Sequence, residues 1–376
     1  MKENISLAES AQILRAAAVA AASGLVERRS LVDLILLSAV AGEHLLVIGP
    51  PGTAKSAAVR RVAKVLNGSY FDYLLGRFTE PSELFGPVDI QKLKVGVVET
   101  ATEGMLPEAE IVFLDEVFLG STAILNTLLG ILNERRFRRG QTSKECPLRI
   151  CVGAANSLPE DESLSAFADR FLVRHFVDEV PDSQLESLLA QGWESDRVLP
   201  EVKIDMELLD RLTAIARSAD VTGVHSLLAD CIRLLRKENI KLSDRRIVKS
   251  QRLISAAAVI DGRTKPEESD IWPILHVIPR KEDQAAARDI LKDKLAESHS
   301  STLLDAAENA SMGKLARAQR LLEKAEMHLA LPREEQNRLA MEALGREIDT
   351  CFSATSIPEK LKLAREELIK ELETAE

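Results

Sequence analysis

A run of glycine, proline, lysine and serine has the residue types and spacing of a loop that binds phosphate. Residues 49–56 read Gly-Pro-Pro-Gly-Thr-Ala-Lys-Ser and follow the apolar run from His44 to Ile48, which predicts a buried strand. In the pattern G-x-x-x-x-G-K-[ST], backbone N–H groups and a helix N-terminus surround the phosphates. We therefore expect Lys55 to reach the β- and γ-phosphates of a nucleotide and the Ser56 hydroxyl to hold Mg²⁺.

One position of this loop departs from the pattern. Ala54 stands where the pattern has its last glycine. Because alanine tolerates the conformation of a helix entry, we expect the loop to survive, with a helix from Lys55 to about Leu66. The alternative is a Gly/Pro turn between a strand and a helix. The predicted nucleotide-binding residues of the loop are Gly49, Pro50, Pro51, Gly52, Thr53, Ala54, Lys55 and Ser56.

Two adjacent carboxylates stand at the end of another predicted strand. The apolar residues 111–114 run into Asp115 and Glu116, and ligands of open α/β sheets bind at the carboxyl ends of strands. Asp115 suits the organisation of Mg²⁺, and Glu116 suits a base that polarises a water for attack on the γ-phosphate. The alternative is an acidic helix start that complements the helix dipole. With the phosphate loop upstream, the pair favours hydrolysis.

Two more candidates lie at the boundaries of predicted strands. Asn156 ends the run from Val152 and would orient the attacking water and sense the γ-phosphate. Arg170 begins the next strand and would reach a neighbouring subunit's nucleotide as an arginine finger, with Arg174 as a second candidate. The alternative for Arg170 is a surface ion pair with Asp169.

An arginine pair opens a helix in the second half of the chain. Ser243 is a good N-cap residue, but Arg245 in the first turn opposes the helix dipole. That local conflict favours another role for the cation, and contact with the γ-phosphate would be such a role. The sequence leaves open whether Arg245 or Arg246 makes that contact, and we choose Arg245.

The elements that must position these residues change in kind along the chain. Strands alternate with helices up to Asp182, which predicts a parallel sheet. Two apparent capping boxes precede the sheet, Ser6 with Glu9 and Ser30 with Asp33. In all we expect three domains: an α/β core with N-terminal helices in residues 1–182, a helical lid in 183–280, and an uninterrupted helical region in 281–376.

Composition limits the classes of function. The formal charge of −10 and the 4% aromatic content disfavour a constitutive nucleic-acid coat. None of the four cysteines forms a C-x-x-C pair, so reduced thiols are expected instead of a zinc site. No signal peptide and no apolar run of membrane-spanning length is visible, so we expect a cytoplasmic protein without membrane insertion.

Taken in order, these motifs resemble those of the AAA+ ATPases, as Walker A, Walker B, sensor 1, arginine finger and sensor 2. Ala54 within the loop, the run from Arg77 to Pro87 and the run from Gly104 to Glu116 are typical of the MoxR family. Residues 123–129, 132–137 and 158–160 are most similar to its RavA branch. The resemblance covers about residues 20–280.

The resemblance implies a fold, cofactors and partners. The fold would be an αβα nucleotide-binding core with an all-helical lid, binding ATP and Mg²⁺, with Leu25 and Val26 also in the nucleotide site. Six copies would form a ring in which Arg170 completes the next subunit's site, and residues 88–104 would face the central pore. The strands of a hairpin would lie between Arg136 and Leu148. ATP turnover would drive chaperone-like remodelling of a protein client, often with a von Willebrand factor A domain partner.

The sequence also departs from the RavA pattern and leaves two other functions open. Residues 281–376 have no room for the β-rich insertion of the RavA protein, which puts partners recognised through it in doubt. The basic run from Arg135 to Arg139 would suit a nucleic-acid-stimulated motor, although an inter-subunit or nucleotide-facing charge patch is the blander interpretation. The third hypothesis is a nucleotide-switched structural adaptor with little turnover.

Overall fold

A five-stranded parallel sheet lies at the centre of the N-terminal half of the protein. The computed structural model describes residues 5–180, 184–195, 202–311, 314–331, 335–352 and 357–373. The strands are β1 Leu45–Ile48, β2 Tyr70–Leu74, β3 Ile111–Asp115, β4 Arg136–Arg139, β5 Thr142–Glu145, β6 Ile150–Ala155 and β7 Val173–Phe176. The sheet has the order β2-β3-β6-β1-β7, while β4 and β5 form the expected separate hairpin.

Helices cover both faces of this sheet, which explains why its central strands are apolar without alternation. Along β1, Leu45 and Val47 pack into one core cluster, and Leu46 and Ile48 pack into the other on the opposite face. The helices of this half are α1 Leu7–Ala22, α2 Arg29–Ala41, α3 Lys55–Leu66, α4 Pro81–Phe85, α5 Ile90–Leu93, α6 Thr122–Glu134 and α7 Glu162–Ala168. The predicted αβα core is confirmed.

The second half of the described chain is helical, and no strand follows β7 in it. Its helices are α8 Leu185–Ser195, α9 Met206–Ser218, α10 His225–Lys237, α11 Asp244–Ile260, α12 Lys281–Ile290, α13 Leu304–Ser311, α14 Lys314–Ala330, α15 Glu335–Cys351 and α16 Glu359–Glu373. A 3-10 helix, Glu268–Val277, separates α11 from α12. The last three helices share a hydrophobic cluster of their own. The predicted boundary at residues 182 and 183 lies outside the described residues.

The last region is less continuous than we expected. Residues 291–303, between α12 and α13, form turns and bends instead of a helix. Asp261, which follows α11, holds this segment by accepting hydrogen bonds from the backbone N–H groups of Ser301 at 3.1 Å and Thr302 at 3.0 Å. A polar anchor therefore fixes the course of the chain where the helical pattern stops.

The second predicted capping box is wrong, while the first, of Ser6 and Glu9, is confirmed. Helix α2 begins at Arg29 without a side-chain cap, and Asp33 lies inside it, fully buried. Asp33 accepts from the Arg29 Nε at 2.8 Å and from the backbone N–H groups of Asp305 at 3.1 Å and Ala306 at 3.2 Å, in the first turn of α13. Its carboxylate therefore caps a helix some 270 residues away. Asp33 lies inside α2 instead of at its end, and α13 packs against it there.

The substitution Asp33→Ala should test this cap. It leaves the Arg29 guanidinium without its buried partner and two N–H groups of α13 without an acceptor, so we expect the free energy of unfolding to fall by about 3–5 kcal/mol. Chemical denaturation measures the change. The matched control is Asp72→Ala, whose ion pair with Arg60 is at the surface and should contribute under about 1 kcal/mol. Equal losses in the two variants would contradict the role of Asp33.

Candidate nucleotide-binding site

The predicted phosphate loop joins the carboxyl end of β1 to the start of α3. A Cβ atom on Gly49 would lie 2.2 Å from the Val177 carbonyl oxygen, so the approach of the chain after β7 requires glycine there. Gly52 has φ +79°, which favours glycine for conformational reasons. The Lys55 ammonium lies inside the loop, donating to the carbonyl oxygens of Gly49 at 2.6 Å and Pro50 at 2.9 Å. The loop is thus a compact turn wrapped around one cation.

Ala54 does not have the helix-entry conformation that we expected. Its φ of +57° and ψ of 25° place it in the left-handed region, which glycine adopts readily and alanine does not. The following helix nevertheless begins at Lys55 and runs to Leu66, as predicted. The loop therefore keeps the backbone shape that the usual glycine gives, at some conformational cost.

Three polar groups converge beside this loop at the carboxyl edge of the sheet. Asp115 ends β3, Glu116 follows it, and Asn156 follows β6, the strand between β3 and β1. The Asn156 Nδ2 donates to the Glu116 Oε1 at 2.6 Å. Burial lowers the pKa of Lys55, and the nearby carboxylates of Asp115 and Glu116 partly oppose that shift. The structure therefore brings these four predicted residues to one place.

The donors at this edge fit a magnesium nucleotide. Ser56 lies in the first turn of α3 and Asp115 at the end of β3, so one hydroxyl and one carboxylate face the same edge. Among the described residues no cluster of three or more His, Cys, Asp or Glu side chains forms a metal cage. Mg²⁺ is usually held by one or two carboxylates together with substrate phosphates, so this sparse set suits it.

Arg28 contacts the loop, a role that we did not predict from the sequence. This buried side chain donates from Nε to the Thr53 carbonyl oxygen at 2.7 Å and from a terminal nitrogen to the Asp178 carbonyl oxygen at 3.0 Å. It therefore joins the segment before α2 to the phosphate loop and to the chain after β7. A signal was present in the sequence, since an arginine at a helix start opposes the dipole, as at Arg245.

Leu25 and Val26 are also predicted site residues, and both lie in the same segment before α2. They line a cavity of about 900 Å³ whose other walls include residues of α1, α13 and α14. None of the residues of the phosphate loop lines this cavity. Leu25 and Val26 thus lie beside the loop, three and two residues before the Arg28 that contacts it.

The two arginines predicted to act from outside the loop lie at the opposite edge of the sheet. β1 and β7 run parallel, with Leu45 beside Val173 and Ile48 beside Phe176. Arg170 precedes β7, whereas the phosphate loop follows β1, so a four-residue strand of about 13 Å separates the two edges. Burial and the neighbouring Arg170 guanidinium both lower the pKa of Arg245, which lies close by.

The other arginine of each candidate pair, Arg174 or Arg246, is buried. Asp169 bonds to Arg246 at 2.6 Å, so the surface pair with Arg170 that we considered is not formed. Arg174 is 2% exposed and donates to the Ala168 carbonyl oxygen, which excludes it as an arginine finger in this arrangement. Of the two pairs, only Arg170 and Arg245 have accessible surface of any extent.

Arg245 belongs to a cationic stripe on α11. Lys249 and Arg252 follow it at helical spacing on the same face. Both donate to the carboxylate of Glu43, a residue only 1% exposed, at 2.5 Å and 2.7 Å. Arg245 itself donates to the Asn133 side-chain oxygen at 2.8 Å, at the end of α6.

The basic run from Arg135 to Arg139 makes contacts within the protein. Arg135 donates to the carbonyl oxygen of Gly42 at 3.1 Å, and Arg139 donates to that of Gly86 at 3.2 Å. Arg136 pairs with Glu145, and Arg138 pairs with Glu134, at 3.5 Å and 3.2 Å. The hairpin therefore uses these cations for contacts within the chain, which do not test either of our two interpretations of the run.

A parallel sheet covered by helices, a phosphate loop after its central strand and an acidic pair with an amide beside it define a P-loop nucleoside triphosphatase fold of the AAA+ class. A family model described as the MoxR domain in the MoxR-vWA-beta-propeller ternary systems matches residues 12–214, and a model of an AAA lid domain matches residues 218–291. The chain belongs to the MoxR family of AAA+ ATPases.

The chain is also similar to three proteins over part of its length. Two uncharacterized proteins of Methanocaldococcus jannaschii are each 38% identical to the chain, over 260 and 253 residues. These alignments cover 69% and 67% of this chain and 69% and 66% of the two relatives. A structural protein of Acidianus two-tailed virus is 34% identical over 153 residues, which are 39% of this chain and 25% of that protein.

A solved structure shows the same fold. The crystal structure of a candidate ATPase from Cytophaga hutchinsonii superimposes with a TM-score of 0.61 at 16% identity, covering 78% of this chain and 97% of that one. Among the residues that the structure describes, no helix is both long and apolar enough to cross a membrane.

The left-handed Ala54 yields a test of the loop. Alanine costs about 1–2 kcal/mol in this conformation, and glycine costs about 0.5–1 kcal/mol more to order than alanine. We therefore expect Ala54→Gly to raise the free energy of unfolding by about 0.5 kcal/mol, as chemical denaturation would measure. The control Ala57→Gly, inside α3, should lower it by about 1 kcal/mol. A loss of similar size at both positions would show that Ala54 is not strained.

Proposed function

We propose that the chain binds ATP with Mg²⁺ and hydrolyses it as the motor of a ring-shaped, chaperone-like remodeller of a protein client. The observation that carries the proposal is the 2.6 Å hydrogen bond from Asn156 to Glu116 beside the phosphate loop. A carboxylate held by an amide next to a phosphate cradle is suited to activate a water rather than a second substrate.

Each residue of the site has a role that follows from its chemistry. Lys55 and the N–H groups of residues 49–56 would hold the phosphates, with Ser56 and Asp115 as ligands of the metal. Mg²⁺, when bound, neutralises charge on the phosphate oxygens. Glu116 would accept a proton from the attacking water, and Asn156 would orient that water. Leu25 and Val26 would lie on the nucleoside side of the site.

The opposite edge of the sheet supports action between subunits. Arg170 lies about 13 Å or more from the phosphate loop of its own chain, by the strand length given above, and Arg245 lies close to Arg170. Two cations that face outward at that edge would serve the nucleotide of a neighbouring copy. A closed ring gives every site such a neighbour, and we propose six copies, with Arg170 as the arginine finger and Arg245 as the lid sensor.

Family membership and an exposed segment support a protein client. Within residues 88–104, Ile90 is 69% exposed and Val95 is 77% exposed, which gives this insert an apolar surface. We propose that it faces the pore and contacts the client, and that a von Willebrand factor A domain protein is a partner. Within the family, we place the chain nearest the RavA branch, as a cytoplasmic protein with the three domains given above.

The two other hypotheses receive less support. The arginines of the hairpin are engaged within the protein, so no observation favours a nucleic-acid-stimulated motor. An adaptor with little turnover would not need both Asp115 and Glu116 beside Asn156. If the purified protein shows no Lys55-dependent phosphate release, the remodeller proposal fails and the adaptor is favoured.

The substitution Glu116→Gln tests hydrolysis. We expect it to lower kcat for phosphate release by about 100-fold or more while ATP binding persists, because the amide cannot accept the proton of water. A phosphate-release assay and calorimetric titration measure the two effects. Glu238→Gln, on the exposed end of α10, removes the same charge away from the site and should change neither.

The same variant also tests assembly. With ATP, Glu116→Gln should be retained in the nucleotide-bound ring, so a pull-down should recover the ring and its partner together. If this variant stays monomeric and without partners while the wild type assembles, the assignment of Glu116 is wrong.

Mixed subunits test the arginine finger. Lys55→Ala chains would keep the arginine finger but would not bind nucleotide. Arg170→Ala chains would bind nucleotide but would lack the finger. Each variant alone should be inactive, and mixing them should restore part of the ATPase activity, since a finger is worth about 10³–10⁵ in kcat. Arg138→Ala, which removes a surface ion pair, is the control for the arginine. An inactive mixture of assembled rings would contradict action between subunits.

A further inference from the structure

A large cavity separates the last helical region from the segment that supports the phosphate loop. Its volume is about 900 Å³, at the upper end of ordinary small-molecule pockets. One wall is formed by α1 and the residues between α1 and α2, and the facing walls come from α13, α14 and α15. The cavity therefore lies between the first helices of the core and the C-terminal helices.

Apolar side chains are exposed within this cavity from both sides. Val19 of α1 is 37% exposed, and Leu25 and Val26 of the following segment are partly exposed. Met327 of α14 is 45% exposed and lines the same space. Aliphatic groups and a thioether that line one cavity from different elements suit contact with a flat aromatic ring.

A carboxylate with free hydrogen-bonding capacity lies one helical turn from Met327. Glu323 lines the cavity and is partly buried. Burial raises its pKa, while the positive charges of Arg29 and Arg15 oppose that shift. Among the described residues it accepts no hydrogen bond and forms no ion pair, unlike Glu308 beside it on α13, which pairs with Arg317 and Arg320. Its oxygens remain able to accept from hydroxyl or amino groups, as carboxylates do from ribose.

The cavity adjoins the phosphate loop through one short segment. Leu25, Val26 and Glu27 line it, and the next residue is Arg28. The Arg28 guanidinium bonds to the Thr53 carbonyl oxygen of the loop at 2.7 Å. A nucleotide whose phosphates occupy the loop would have its nucleoside on the side of this segment.

We propose that α14 completes the nucleoside site, with the purine between Leu25, Val26 and Met327 and the Glu323 carboxylate accepting from ribose or amino N–H and O–H groups. This inference rests on the proposed ATP site. It assigns to the C-terminal helices a direct part in nucleotide binding. By linkage, nucleotide binding would then also stabilise the docking of those helices against the core.

Two probes separate the nucleoside from the phosphates. ADP carries both parts, and inorganic tripolyphosphate carries only phosphates; both are titrated calorimetrically with magnesium into the full-length protein. We expect Glu323→Ala to weaken ADP binding about tenfold and Met327→Ala about threefold, with the Kd of tripolyphosphate unchanged. Unchanged tripolyphosphate binding also shows that each variant is folded.

Two control variants show whether an effect is specific to the cavity. Glu367→Ala, on an exposed position of α16 outside the cavity, should leave both probes unaffected. Lys55→Ala should weaken both. If Glu323→Ala and Met327→Ala bind ADP as the wild type does, or weaken both probes equally, α14 does not hold the nucleoside and the inference is overturned, although the ATP site stands. Wild-type protein that binds neither probe would overturn the proposed function, and this inference with it.

Discussion

Parallel pairing of β1 with β6 and β7 is the constraint on which the rest of the site depends. Ile48 lies beside Ala155 on one side and Phe176 on the other, so the three strands end together. Every residue that follows a strand is thereby delivered to one edge, and every residue that precedes a strand to the other. The phosphate loop, Glu116 and Asn156 follow strands, while Arg170 precedes one. The loop and Glu116 are therefore separated from Arg170 by the length of a strand, about 13 Å.

A second constraint ties this sheet to the C-terminal helices through the start of α2. Arg28 turns toward the phosphate loop, whereas Arg29 turns away from it and donates to Asp33 at 2.8 Å and to the Thr302 carbonyl oxygen at 3.3 Å. Asp33 in turn caps α13. Two adjacent arginines therefore contact the loop and the C-terminal region from one helix start. A displacement of either contact would strain the other, because both side chains are hydrogen-bonded and Arg28 is buried.

The sequence was a good guide wherever chemistry depends on local order. A strand, a glycine-containing loop and a helix follow one another directly, so the position of Lys55 could be predicted from residues 44–66 alone. The acidic pair after β3 and the amide after β6 were predictable for the same reason. That Asn156 would bond to Glu116 could also be expected, since both residues follow parallel strands of one sheet.

Contacts across long stretches of chain could not be predicted in this way. Asp33 has the spacing of a local cap, but its partners are about 270 residues away, and only the packing of α13 on α2 decides between them. Arg174 is an arginine near the start of a strand, as a finger would be, but its side chain is buried inside the fold. Ala54 is a further example. The sequence shows only that alanine replaces the usual glycine, and the left-handed conformation is visible only in the backbone.

The arginine pair at the start of α11 shows how burial can decide what pattern leaves open. Both arginines oppose the helix dipole, so the local conflict applies equally to each. Arg246 has acceptors within the protein that offset the unfavourable dipole. It is 2% exposed, and it donates to Asp169, Phe171, Leu172 and Val277 at 2.6–3.1 Å. Withdrawing it toward a ligand would leave the partly exposed Asp169 carboxylate and three carbonyl groups without this donor, a cost of several kcal/mol. Arg245 has one side-chain acceptor and faces the surface, so only Arg245 can turn to an incoming phosphate without dismantling the core beneath it.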